Sequence, residues 1–233
     1  MSKKRRIGFC IGVLLLLSGL LVLIYPKITH AVYQNEVKRM KEDFSRQVTS
    51  GGNHAVDVEG LYQELSRRNQ ELYLQRQKDL KDPFSYEQPD IDLSQYGIED
   101  NVVGFVRIPK MKVELPIYLG ANQKNMKLGA VHLTQTSYPI GGMNTNSVIA
   151  AHRGYRKTAM FRDIHLLESG DRVYLENFKE TLVYEVEEVR IIEPDGIDQL
   201  LIQEERDLLT LVTCHPLRGN SQRYVVFCKR IEG

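Results

Sequence analysis

From residue 102 onward the chain is written almost entirely in short runs of β-branched, aliphatic and aromatic residues. They are VVGFVRIP, VELPIYL, GAVHL, NSVIAAH, DRVYLE, TLVYEVEEVRII, LLTLVTC and RYVVFC. Glycine, proline and asparagine separate most of them, as in PIGGMNTN at 139–146. Such runs read as strands, because branched and aromatic side chains pack well on a pleated surface. About eight strands in roughly 130 residues predict a mainly β fold, a closed or nearly closed barrel. Within this part only residues 160–168 (MFRDIHLLE) read as helical. No internal repeat and no low-complexity tract interrupts the pattern.

The first hundred residues have a different character. Lys3, Lys4, Arg5 and Arg6 precede IGFCIGVLLLLSGLLVLIY at 7–25. About 20 apolar residues in a helix span a bilayer. The basic flank stays cytoplasmic, which predicts that everything after Tyr25 lies outside. A cleaved signal peptide has a shorter apolar core, about 7–15 residues. Thr29, His30 and Ala31 would serve as its cleavage site, but the length favours a retained, single-pass anchor. The sequence has no second apolar run of that length. Lys and Arg total 31 against 30 Asp and Glu. With no basic excess, nothing in the charge balance points to a nucleic-acid partner.

Between anchor and strands, residues 27–50 carry Val32, Val37, Met40, Phe44 and Val48 at helical spacing. Gly51, Gly52 and Asn53 then break the pattern. Residues 57–80 read as a second helix, capped by Asp57, with Leu61, Leu65, Leu72, Leu80, Tyr62 and Tyr73 on one face. Two arrangements are open for this region: a solvated stalk, or a helical pair packed on the following domain. Pro83 and Pro89 exclude regular structure from 81–97, a loop or lid.

The three cysteines are Cys10 in the apolar segment, Cys214 and Cys228. Outside a cell, the last two form either a structural disulfide or one reactive thiol with a buried bystander. Cys214 ends a strand and Pro216 stops that strand from continuing. Of the six histidines, His30 and His54 read as surface residues of the stalk, and His165 as a solvated or capping residue. His132 lies within a strand and reads as a satisfied structural histidine. His215 adjoins Cys214, but neighbouring strand residues face opposite sides. His152 ends the run SVIAA and precedes a chain reversal at Arg153 and Gly154. A Cys and a His on two strand termini of one barrel make the arrangement of a thiol nucleophile with its acid/base. A free thiol of pKa about 8.5 needs a cation or donors to hold its thiolate. Arg223, which opens the last strand after the loop HPLRGNSQ, returns near Cys214 and supplies a guanidinium for the thiolate or an oxyanion.

These residues resemble a known family. TLVTC at 210–214, the arginine after the following loop, HRG after an apolar strand and TSYPIGG at 136–142 look like the motifs of sortases, the cysteine transpeptidases of Gram-positive cell surfaces. VVGFVRIPKMKVELPIYLGA at 102–121 is similar to the first two strands of that fold, and the likeness runs through 102–228. Asp82, Pro83 and Phe84 resemble the lid of class C sortases, which polymerise pilins. Many class C enzymes carry a second membrane helix after the barrel, which this sequence does not have.

The resemblance implies an eight-stranded sortase-type β-barrel with short helices, and roles by residue. Cys214 would be the nucleophile, His152 the acid/base and Arg223 the thiolate or oxyanion partner. Asp82 would pair with Arg223 and Phe84 would cover the thiol. Cys228 would then be an apolar bystander. No metal or cofactor is called for. The implied partners are pilins or surface proteins with an LPXTG-like C-terminal sorting signal, and a lysine-bearing pilin as acceptor. The loop at 193–207 would line the groove for the signal. Rivals are attachment of surface proteins to peptidoglycan, an idle membrane-tethered scaffold or adhesin, and a plain cysteine protease. The expected organisation is a basic tail at 1–6, an anchor at 7–25, helices at 26–80, a lid at 81–97 and the catalytic barrel at 98–233.

Overall fold

A computed structural model describes residues 3–49, 56–77, 80, 82, 88–154, 158–217 and 219–232, with side chains from residue 11 onward. All eight sequence runs form strands: β1 (Val102–Ile108), β2 (Val113–Leu119), β3 (Ala130–His132), β4 (Thr145–Ala150), β5 (Arg172–Asn177), β6 (Thr181–Ile192), β7 (Asp207–His215) and β8 (Gln222–Ile231). They close into a barrel in the order β1-β2-β3-β4-β7-β8-β6-β5. Two pairings are parallel, β2 with β3 and β4 with β7; the rest are antiparallel. The β1–β5 seam is tight at Gly104, where a Cβ would sit 2.3 Å from the Glu176 carbonyl oxygen.

Burial follows from what covers each strand. β5 alternates buried with partly exposed positions, as a strand with one wet face must. β4 is buried at every position and β7 throughout its middle, matching their unbroken apolar runs.

Helix α1 (Lys3–Thr49) is continuous over 47 residues, with Pro26 inside it. Over Ile11–Thr49 it is long and apolar enough to cross a membrane by length and composition. Its large apolar side chains from Leu14 to Leu17 and Leu20 to Leu23 stand exposed. Its C-terminal half instead covers the barrel. Val37 and Phe44 are buried there, and Phe44 meets Phe105 edge-on at 5.6 Å. Lys41 bridges Glu114 and Glu176 at 2.7 Å each, and the Tyr33 hydroxyl donates to the Leu128 carbonyl.

Helix α2 (Val58–Leu74) is capped by Asp57, whose Oδ1 accepts from the Gly60 amide at 2.9 Å. Leu61 and Leu65 are fully buried on its inner face. Asn69 is the polar member of that face. Its Oδ1 accepts from the Tyr138 amide and its Nδ2 donates to the Tyr138 carbonyl. The C-terminal half of α1 and helix α2 are therefore packed on the domain.

The structure departs from the sequence reading in several places, among them a 3-10 turn at Leu93–Tyr96, inside the stretch 81–97 from which regular structure was excluded. The second helix stops at Leu74 instead of reaching residue 80, because Arg76 and Gln77 take left-handed backbone angles of 55° and 46° in φ. Gln77 is held there by bonds to the Ile202 amide and the Gln135 carbonyl. Residues 160–168 hold only a single 3-10 turn, Ile164–Leu166. A helix does form where none was expected, α3 (Gln123–Leu128), started by Asn122 accepting from the Asn125 amide. The expected break at Gly51, Gly52 and Asn53 lies outside the described residues.

His132 is buried in β3, stacked at 5.0 Å on Tyr138, with Nε2 3.0 Å from the Ser137 carbonyl. Burial pushes its pKa down from 6.5 to about 4. The folded state therefore binds the proton more weakly than the unfolded chain. This contribution is whole above pH 6.5 and is lost progressively as pH falls to about 4. A shift of that size is worth about 3 kcal/mol. Denaturant unfolding of wild type and His132→Gln at stepped pH should show the wild type losing more stability than the variant over this window. Parallel losses would remove His132 from the acid sensitivity of the fold.

Candidate active site

One end of the barrel gathers the chemistry. β7 pairs with β8 so that Cys214 lies opposite Arg223, and His215 opposite Gln222. β4 runs parallel to β7 with Ala150 beside Val212. The Ala151 amide continues this pairing to the Val212 carbonyl at 3.2 Å. Thr213 then locks it, its buried hydroxyl donating to the Ala151 carbonyl at 2.7 Å. His152, two residues past Ala150, thus emerges at the same barrel end as Cys214, two past Val212.

The chain reverses directly after His152. Its carbonyl accepts from the amides of Gly154 at 2.8 Å and Phe161 at 3.1 Å. Gly154 has φ of 89°, a left-handed conformation that favours glycine and explains the third letter of HRG.

Cys214 is half-buried and a free thiol. Cys228 is also free, fully buried in β8 opposite Leu209, and burial pushes its pKa up. No disulfide joins them. Arg223 is only 6% exposed. Its Nε and Nη2 donate to the two carboxylate oxygens of Asp82, each at 2.7 Å, and Nη1 donates to the carbonyls of Asn220 and Gln222. The Asp82–Arg223 contact is the planar, two-pronged form that favours arginine over lysine. Pro83 and Phe84 lie outside the described residues.

These surroundings set the proton positions. Burial pushes the Cys214 thiol up, and the Asp82 carboxylate adds to that; Arg223 and Arg153 pull it down. Burial pushes His152 down. Both shifts favour a neutral thiol and a neutral imidazole at this barrel end, so the thiolate is the minority form while Asp82 occupies Arg223.

Arg153 was not singled out in the sequence, although it stands between His152 and Gly154 in the motif. Its Nη1 donates to His215 Nδ1 at 2.7 Å and lies 3.4 Å from the Cys214 carbonyl oxygen. Its guanidinium sits 5.0 Å over the Tyr224 ring. His215 thus turns to Arg153 and Tyr224. Among the described residues no group of His, Cys, Asp and Glu could hold a metal ion.

A sortase domain family model matches residues 106–231. The chain belongs to the sortase family. Sortases are cysteine transpeptidases, and this enzyme class comes with membership. Sortase A of Bacillus anthracis is 29% identical over 156 residues, 66% of this chain and 72% of that protein. Sortase C1 of group B Streptococcus pilus island 1 superposes with a TM-score of 0.74 at 28% identity, covering 83% of this chain and 97% of its own. Sortase C from Clostridium perfringens SM101 gives a TM-score of 0.68 at 30% identity over 84% and 99%. Both solved structures are class C sortases, as the DPF motif had suggested, and they include the barrel foreseen from the strand runs.

Removing Asp82 takes away a charge that raises the Cys214 pKa and releases Arg223. Asp82→Ala should therefore alkylate at Cys214 several-fold faster than wild type at neutral pH under one buffer. Equal rates would mean that Asp82 has no hold on the thiol.

Proposed function

We propose that this sortase is a membrane-anchored class C enzyme that polymerises pilins, with residues 7–25 in the bilayer and the barrel outside. The observation that carries the chemistry is the register of β7 against β8, with Cys214 facing Arg223 and the His152 turn beside them. The observation that favours class C is the bidentate Asp82–Arg223 pair, together with the likeness to sortases C. The exposed apolar face of α1 supports the anchor.

In this reading the Cys214 thiolate attacks the threonine carbonyl of an LPXTG-like signal. The carbonyl becomes a tetrahedral oxyanion, which Arg223 stabilises once Asp82 has withdrawn. His152, carrying the thiol's proton, gives it to the departing glycine amine, and the carbon–nitrogen bond breaks to leave a thioester. A lysine amine from a second pilin enters. Lysine is protonated in water at a pKa of about 10.4, so the site must take a proton before attack, and His152 is the acceptor. Expulsion of the Cys214 sulfur then leaves an isopeptide bond. Asp82, with Pro83 and Phe84, forms a lid whose closed form is inactive, and the loop at 193–207 lines the groove for the signal.

Attachment of surface proteins to peptidoglycan is the second reading, favoured by the identity to a sortase A. It differs only in the amine that resolves the thioester. Incubation with candidate pilins decides between them: SDS-resistant ladders support polymerisation, and transfer only to a peptidoglycan amine refutes it.

Cys214→Ala is expected to abolish both thioester and ladders, while Cys228→Ala keeps most activity, since that thiol is sealed in the barrel wall. Ladders built by Cys214→Ala would sink the nucleophile assignment. Loss of one oxyanion donor typically costs about 10²–10³ in rate. Arg223→Lys keeps the charge but not the fork, and should turn over at least about tenfold more slowly. Wild-type turnover in that variant would reduce Arg223 to a structural charge.

A further inference from the structure

Arg153 touches every element that carries the proposed chemistry. It is peptide-bonded to His152. Through Nη1 it reaches the Cys214 carbonyl and the His215 ring at the end of β7. Its guanidinium lies over Tyr224 in β8, next to Arg223 and opposite Thr213. The His215 ring leans on the same tyrosine at 5.9 Å. Arg153 Nε is buried with no hydrogen-bond partner among the described residues. A desolvated, unpaired donor costs stability, so the side chain is kept in this place by its other contacts.

The contact with His215 is specific for one protonation state. Guanidinium has donors only and does not lose its proton in proteins. The ring nitrogen it meets at 2.7 Å must therefore present a lone pair, which puts the His215 proton on Nε2. A doubly protonated imidazole has no lone pair and would set a second cation against Arg153. Among the described residues, the polar groups that the β7–β8 pairing sets near this ring are already engaged. Cys214 precedes it, Arg223 lies across from that cysteine and is held by Asp82, and Gln222 opposite is bonded to Glu193.

We propose that Arg153 is a positioning residue, a clamp that ties the His152 turn to the Cys214 strand end through neutral His215 and releases when His215 is protonated. The clamp rests on the reading of Cys214 and His152 as the reacting pair. The β4–β7 pairing, even with the Thr213 hydroxyl on the Ala151 carbonyl, stops short of His152 itself. Beyond it the Arg153 bridge is a direct side-chain tie from the turn to β7. Arg153 also draws the Cys214 thiol down, so its position bears on the nucleophile as well as on the acid/base.

The test uses the full chain in detergent and an LPXTG-type peptide, with kcat and KM measured from about pH 5 to 8, where imidazoles titrate. Arg153→Met should lower kcat about tenfold, since small misplacements of reacting groups are costly. Its KM should stay within about twofold, the split expected of a positioning residue and not of one that binds the peptide. His215→Ala should behave likewise. His215→Asn is the conservative rescue: its Oδ1 stands where Nδ1 stood, accepts from Arg153 and cannot be protonated. It should recover turnover relative to His215→Ala and hold it to lower pH than wild type. Hydrogen exchange at the Gly154 and Phe161 amides, which bond the His152 carbonyl, reads the clamp without catalysis. Their protection should fall in Arg153→Met and His215→Ala, and in wild type at acid pH, but not in His215→Asn. If wild type fails to cleave the peptide, or Cys214→Ala cleaves it, the proposed chemistry fails and exchange alone decides the clamp. If Arg153→Met does not fold, the two His215 variants decide it. Wild-type kcat in Arg153→Met overturns the clamp. So do superimposable pH profiles of wild type and His215→Asn, or equal amide protection across the variants.

Discussion

The parallel pairing of β4 with β7 is the constraint on which the site depends. It joins two strands remote in sequence, and the barrel closes only if they meet. Because the strands run the same way, their C-terminal ends lie together, so a residue just past one stands beside a residue at the end of the other. An antiparallel arrangement would send His152 and Cys214 to opposite ends of the barrel. The Thr213 hydroxyl fixes the register at its last step, on the Ala151 carbonyl. A one-residue slip would turn Cys214 to the other face and leave Thr213 where the thiol belongs. The β7–β8 pairing then adds Arg223 from the other side.

Electrostatics gives the assembled site a resting state. Arg223 is nearly buried and bonds through all three guanidinium nitrogens, two of them to one carboxylate. Burial of a guanidinium is tolerable only with such partners. Any event that removes Asp82 takes the carboxylate from Nε and Nη2 of a desolvated cation on the residue paired with Cys214. The same withdrawal removes one of the influences that hold the thiol protonated. The protonation of the thiol and the bonding of Arg223 are therefore coupled through one ion pair.

Much of the barrel was legible because its strands are bounded runs of branched and aromatic residues. Their closure order was not, because pairing partners such as Val148 and Thr210 leave no mark on local composition. Helix α3 escaped notice because its six residues are too few to show a 3.6-residue period. MFRDIHLLE has helical composition, but its amide bonds are spent on turns, including one from Phe161 to the His152 carbonyl. For the site, Cys214, His152 and Arg223 could be named from strand ends and from resemblance, and the structure brings them to one end of the barrel. Asp82 was named from a motif alone, and its carboxylate lies on Arg223. Arg153 was invisible for a physical reason. An arginine in a surface turn reads as solvated, and only the fold reveals the ring and carbonyl that it reaches.

Helix α1 has a consequence for how such an enzyme would meet its substrates. It runs without interruption from its apolar part into the stretch that grips the barrel, and Tyr33 bonds Leu128 only eight residues past Tyr25. At 1.5 Å per residue those eight span about 12 Å. A flexible linker would let the barrel roam a hemisphere above its anchorage. This one fixes both height and heading. With residues 7–25 in a bilayer, as proposed, the mouth of the barrel would sweep a thin layer parallel to the lipid. A substrate held in the same membrane would then be sought by lateral diffusion in two dimensions, at a high local concentration. It would be engaged only if its scissile segment rides at that level.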